Sequence, residues 1–151
     1  MSPSPTPPHR VAVAILQQND RYLMQLRDNI PGIVYPDRWG FFGGHIEAGE
    51  TPEVGVLREL EEEISYRPPH LDFFKTYTAD QVIRHIFYGE LTVEIDRLVL
   101  GEGADLKLVS LEEIAAGQAF SPALQQFKLL GEPHRQILQE FIQAFGRSLC
   151  S

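Results

Sequence analysis

Cysteine is all but missing from this chain of 151 residues; Cys150 is the single one. An intrachain disulfide framework is excluded, nothing points to an oxidising compartment, and one thiol beside the last residue reads as an inert surface group. Long apolar runs are missing too. None approaches the roughly 20 residues that span a bilayer, and the opening residues lack the charged-then-apolar pattern of a secretory signal. Cations are also scarce, with 13 Lys and Arg against 21 Asp and Glu and a formal net charge of −8. Binding to nucleic-acid polymers needs clustered Lys and Arg to displace counterions, so it is not expected. These deficits together predict a cytoplasmic protein with neither a membrane nor a polymer partner.

Apolar residues make up 43% of the chain, enough for one domain with a sizeable core and too little chain for two. Residues 1–9, MSPSPTPPH, read as a disordered proline-rich leader, 10–147 as the single domain and 148–151 as a tail. VAVAILQ from Val11 and RYLMQLR from Arg21 read as two strands joined at Asn19-Asp20. Asp28 to Asp37, with Pro31, Gly32 and Pro36, is a loop long enough to wall a site. Leu71–Thr78 and Val82–Glu90 read as strands around Asp80, and Leu106–Val109 as a short one. Ser110 with Glu113 forms a capping box for a helix from Leu111, and Glu132 to Phe145 carries an apolar helical face. Phe120 to Gly131 shows little pattern.

The densest chemistry runs from Gly44 to Tyr66, GHIEAGETPEVGVLRELEEEISY. Thr51 is a good N-cap and Pro52 suits the first helical position, so a helix starts there. At 3.6 residues per turn Val54, Leu57, Leu60 and Ile64 share a stripe expected to meet the core, with Glu59, Glu62 and Glu63 facing outward. Like charges at this spacing cost roughly 0.2–0.5 kcal/mol per pair, which a divalent cation would relieve. Carboxylates suit Mg²⁺ or Mn²⁺, and Mg²⁺ takes one or two of them while keeping positions for water and phosphate. Arg58 can orient a carboxylate or reach a phosphate oxygen.

This stretch resembles the Nudix box, Gly-x5-Glu-x7-Arg-Glu-U-x-Glu-Glu-x-Gly-U, where U is a bulky apolar residue. Gly44, Glu50, Arg58, Glu59, Leu60, Glu62 and Glu63 match, and Tyr66 is acceptable at the end. The six non-apolar matches would coincide by chance in roughly one chain per hundred thousand. Ser65 stands where the family has glycine and is expected to enter a left-handed helix end less readily. Phe42 likewise replaces the proline that commonly precedes the two glycines.

The resemblance implies an α/β/α sandwich, a mixed β-sheet between helices, and cleavage of a P–O–P bond. The substrate would be a nucleoside diphosphate linked to another moiety, as in nucleoside triphosphates or nucleotide sugars. Its metal ligands would be Gly44, through its carbonyl, Glu50, Glu59, Glu62 and Glu63, holding Mg²⁺ or Mn²⁺; Glu50 could instead bond Arg58. Arg58, Glu59, Glu62 and Glu102 make the catalytic set, with Glu62 and Glu102 competing as general base. Arg27, Tyr35 and Trp39 are the substrate-binding candidates, the two aromatic ones as stacking surfaces or, alternatively, as cover for the edge of the core. The expected partner is a small nucleotide, and a homodimer is compatible with the family. The alternative function is a catalytically silent Nudix-like nucleotide-binding or regulatory module.

Overall fold

The computed structural model describes residues 9–27, 37–101 and 103–149, the side chains of 146–149 excepted. Its centre is β1 (His9–Gln18), which begins one residue inside the expected leader. Val13 and Ile15 point into one core, Ala12, Ala14 and Leu16 into the other, as a two-residue period requires. A strand buried on both faces must lie in the middle of the sheet. It runs parallel to β6 (Val82–Glu90), from His9↔Val82 to Gln17↔Glu90. Its other edge is shared between two partners. Gln17 and Gln18 pair with β2 (Arg21–Leu26), whereas Val11 to Ala14 pair with β4 (Phe42–His45).

β2 therefore leaves β1 after two residue pairs and continues along β3 (Trp39–Gly40) and β7 (Asp105–Val109). The chain crosses from β2 to β1 at Phe41. On the far side β5 (Asp72–Ala79) pairs antiparallel with β6. Both hairpins turn on consecutive residues of positive φ, Asn19 (51°) with Asp20 (59°) and Asp80 (50°) with Gln81 (65°). Two-residue turns of this hand match the twist of antiparallel strands, which is why the short polar pairs mark them.

α1 (Pro52–Ile64) packs over one face of the sheet, through Val56, Leu60 and Ile64. α2 (Leu111–Ala116) and α3 (Glu132–Leu149) bury Ile114, Ile137, Leu138 and Phe141 on the other. The expected mixed sheet between helices is present. The segment with little pattern forms a separate hairpin, β8 (Gln118–Ser121) with β9 (Gln126–Leu129). α3 runs through 147, the expected domain end, into the expected tail. Among the described residues no helix is long and apolar enough to cross a membrane.

Candidate active site

The helix α1 starts as its sequence dictates: Thr51 Oγ1 accepts from Val54 N at 3.2 Å and Pro52 follows. Its rotational setting differs from the expected one. Val54 is 52% exposed, and the buried seam is Gly55, Val56, Leu60 and Ile64. Gly55 lets the loop from β4 approach, and the seam's neighbours Glu59 and Glu63 consequently face β4 rather than solvent. Glu63 Oε1 accepts from Gly43 N at 3.0 Å and its Oε2 from the buried Gln25 at 3.3 Å. A Cβ on Gly44 would stand 2.6 Å from the Glu59 carboxyl carbon. On Gly43, whose φ is 147°, it would collide with the Ala12 carbonyl oxygen. Both glycines are thus demanded by close approach, one to a carboxylate and one to β1.

Arg58 organises the acids around it. Its Nε and Nη2 donate to the two oxygens of Glu50 at 2.7 and 3.0 Å, and Nη2 also to the His45 carbonyl at 3.0 Å. Nη1 reaches Glu59 at 3.0 Å and Glu62 at 3.4 Å. The Arg58 contact, with the Glu47 amide, holds the Glu50 carboxyl below its ordinary range, and Glu50 in turn raises the guanidinium further above its own. Glu50 has both oxygens engaged, by the Arg58 guanidinium and the Glu47 amide, the second of the two arrangements its sequence position allowed. Glu62 is different: its side chain is 61% exposed and touches Arg58 only at the long end of hydrogen-bonding range.

Burial pushes Glu63 up to about 7, with the Glu59 charge adding to the rise and the Gly43 amide opposing it. The rise is mainly the cost of holding a carboxylate out of water, to which the neighbouring Glu59 charge adds. Among the described residues no three side chains are drawn together as metal ligands. Glu59 and Glu63 beside the Gly43–Gly44 backbone form a pair, however, and hard oxygen donors in that number suit Mg²⁺ with water and phosphate completing its shell.

On the opposite side of the glycines from α1 lies a cavity of about 300 Å³ whose lining includes Val11, Val13, Arg27, Phe41, Arg84 and His134. Arg27 Nε is buried with no partner among the described residues. Its charge acts on both Glu63 and His134. Trp39 is not part of this wall. Its indole is fully buried and donates to the Ala119 carbonyl at 3.1 Å, leaving no face for a base; of the two sequence readings, core cover is correct. Tyr35 and Glu102 lie outside the described residues, although Gly101 beside Glu102 donates to the Glu63 carbonyl at 2.8 Å. Sequence reasoning missed Gln25, Arg84 and His134. Arg84 could have been found as the cation in the mostly apolar run Val82–Tyr88 of β6, whereas nothing local marks the other two.

A family model described as a NUDIX domain matches residues 7–130. The chain belongs to the Nudix hydrolase family. Over 134 residues it is 31% identical to the Haemophilus influenzae protein named 8-oxo-dGTP diphosphatase, 85% of this chain and 96% of that one. The Escherichia coli K12 protein of the same name is 48% identical over 46 residues, 30% of this chain and 36% of the relative, so that match spans about a third of the relative's length. Among solved structures, one from a study of MutT from Aliivibrio salmonicida and Vibrio cholerae superposes with a TM-score of 0.68 at 21% identity. It covers 91% of this chain and 98% of its own, a likeness of Nudix fold.

Proposed function

We propose that the protein is a Mg²⁺-dependent pyrophosphohydrolase of nucleoside triphosphates. One observation carries this reading: an acidic pair, Glu59 and Glu63, and a cavity with two guanidiniums, Arg27 and Arg84, flank the same two glycines. A nucleotide anhydride needs both environments. The relatives named above favour a triphosphate over a nucleotide sugar. A divalent cation held by Glu59 and Glu63, with Glu62 on the same helix and the Gly44 carbonyl on β4 beside them, would neutralise phosphate charge and acidify a water.

The chain's own groups do the rest. Arg27 and Arg84 bind phosphate oxygens, and the Gly43–Gly44 backbone admits the anhydride to the carboxylates. Arg58 fixes Glu59 through its planar fork. Glu62, exposed and loosely held, takes the water's proton as the water oxygen bonds to phosphorus and the P–O bridge breaks, giving a monophosphate and pyrophosphate.

The test is pyrophosphate and phosphate release from a panel of nucleoside triphosphates, including 8-oxo-dGTP, with Mg²⁺ and with EDTA. Release is expected only with metal, and Glu62→Gln should lower kcat by about 10²–10⁴-fold while the fold stays intact. Wild-type turnover in that variant would remove Glu62 from its role. Nucleotide binding with no product from any compound would instead mark a silent binding module.

A further inference from the structure

We propose that Gln25 is a positioning residue of this site: its side-chain amide fixes the Glu63 carboxylate beside the Gly43–Gly44 backbone and so sets the protein's affinity for a divalent cation. The inference rests on the reading of Glu59 and Glu63 as the metal pair. It starts from a residue out of place. β2 reads YLMQL from Tyr22, all five buried, and Gln25 is 6% exposed among hydrophobic neighbours. Leu23 lies in the core beneath α1, and by the two-residue period Gln25 shares that face. A glutamine is rarely enclosed this far unless its amide is bonded, so its partners are the clue to its use.

Gln25 Nε2 stands 3.3 Å from the Phe41 carbonyl oxygen and 3.3 Å from Glu63 Oε2. A carbonyl can only accept, so the amide must turn its NH2 group this way, and two hydrogens meet two acceptors. Turning the amide over would set oxygen against oxygen. The other end is confined too. A Cβ on Gly103, whose φ is 102°, would stand 3.4 Å from Gln25 Oε1, and Ala104 N donates to the Leu26 carbonyl at 2.9 Å. The backbone before β7 therefore packs against the amide.

The two bonds serve different ends. Phe41 is where the chain crosses from β2 to β1, and the bond to its carbonyl belongs to the fold. The bond to Glu63 joins β2 to a carboxylate whose other oxygen, Oε1, accepts from Gly43 N on β4 at 3.0 Å. One donor leaves a carboxylate free to pivot about the bonded oxygen. Two donors, from different strands, fix its plane. A carboxylate has about four lone-pair sites, so each oxygen keeps capacity for a cation. The neutrality of the amide matters as well. Glu59 is held by a guanidinium, Arg58 Nη1 at 3.0 Å, which offsets part of its charge. Gln25 orients Glu63 and brings no charge of its own, which leaves the attraction for a cation intact.

The experiment measures metal binding apart from turnover. Mn²⁺ is titrated calorimetrically into the protein, alone and with a nonhydrolysable nucleoside triphosphate, and thermal melts in EDTA report the fold. Gln25→Met keeps the length of the side chain and loses the donor; its Kd for Mn²⁺ is expected to rise by about 10–100-fold, with a melt that remains cooperative. Gln25→Asn, whose amide is one methylene short, should weaken binding likewise. The Mg²⁺ concentration for half-maximal rate should rise in step, so that excess Mg²⁺ recovers rate lost at low Mg²⁺. A double-mutant cycle separates this from a role in the fold alone. With Glu63→Gln already in place, Gln25→Met should leave the remaining Mn²⁺ affinity unchanged, because the carboxylate it acts on is gone.

Wild-type Mn²⁺ affinity in a folded Gln25→Met protein would overturn the proposal. So would a further weakening of the same size in the Glu63→Gln background, or loss of the native fold in both variants, which would make Gln25 a residue of the core. A wild type that binds no Mn²⁺, with or without nucleotide, removes the metal pair and this inference together. Metal-dependent turnover with a Gln25→Met protein that binds metal normally sinks the inference alone and leaves the hydrolase standing.

Discussion

Arg58 shows how one side chain sets a whole site. Its five donors are shared among Glu50, the His45 carbonyl, Glu59 and Glu62, contacts that a planar fork can make at once and an ammonium cannot. Arg58→Lys keeps the charge and loses the fork. We expect it to reduce kcat by about 10–100-fold and to raise the Mg²⁺ concentration for half-maximal rate, a joint shift read by titrating activity with metal. An unchanged metal dependence would reduce Arg58 to a loop fastener. At this scale the sequence made legible which side chains gather, as for Arg58 with Glu59 and Glu62. It was not legible where direction matters. Glu63 turned inward because Gly55, not Val54, marks the seam. Phe41 N and His134 Nδ1 are 93 positions apart, a pairing that no local pattern encodes.

Among the elements, α1 carries a conflict at its end. Ser65 takes φ 54° and ψ 39°, the left-handed conformation that the family's glycine enters without strain, and its N–H donates to the Glu61 carbonyl at 3.0 Å. The surroundings enforce it. Val99 N and Gly101 N donate to the Ile64 and Glu63 carbonyls at 3.1 and 2.8 Å, and the Tyr66 hydroxyl accepts from Thr92 N at 3.0 Å. Ser65→Gly should therefore relieve strain, less the extra freedom glycine has when unfolded, and stabilise by about 0.5–1 kcal/mol. A rise in melting temperature of about 2–4 °C with unchanged activity is the expected result; a fall would mean the serine side chain is itself needed. Elements with a local signature were readable: both hairpins at their polar turn pairs, and α2 from the Ser110–Glu113 capping box, which is present in full. β3 and β4 were not, being two and four residues long and interrupted at Phe41. The β8–β9 hairpin failed for another reason. Its Phe127 and Leu129 are exposed, so burial never imposed an alternation there.

For the molecule as a whole, the carboxylate pair is expected to make stability depend on pH and on added metal together. Burial raises Glu63 to about 7 from an ordinary 4.5, so between those values the unfolded chain ionises first. Below pH 4.5 Glu63's contribution is fully present; it declines as pH rises and is lost above about 7, a fall on the order of 3 kcal/mol in EDTA. Glu63→Gln should flatten that decline, and Mg²⁺ should raise the melting temperature more at pH 8 than at pH 5. Thermal melts across this range, with and without metal, check both; a metal increment independent of pH would separate Glu63 from the cation. The expected layer order held at this scale because β1 reads as apolar on both faces, and only a central strand can bury both.

That same β1 sets a timetable for synthesis. Its parallel partner begins at Val82, and β7, which gives β2 its long partner, begins at Asp105. At ribosomal rates of about 5–20 residues per second, Val11–Leu16 must wait roughly 4–15 s for this parallel mate, with β4 arriving earlier to cover only the Val11–Ala14 edge. Pairing over such separations is also slow once the segments are free to meet. The segment that later becomes the most sheltered in the protein is thus the one most in need of protection while the chain is being made.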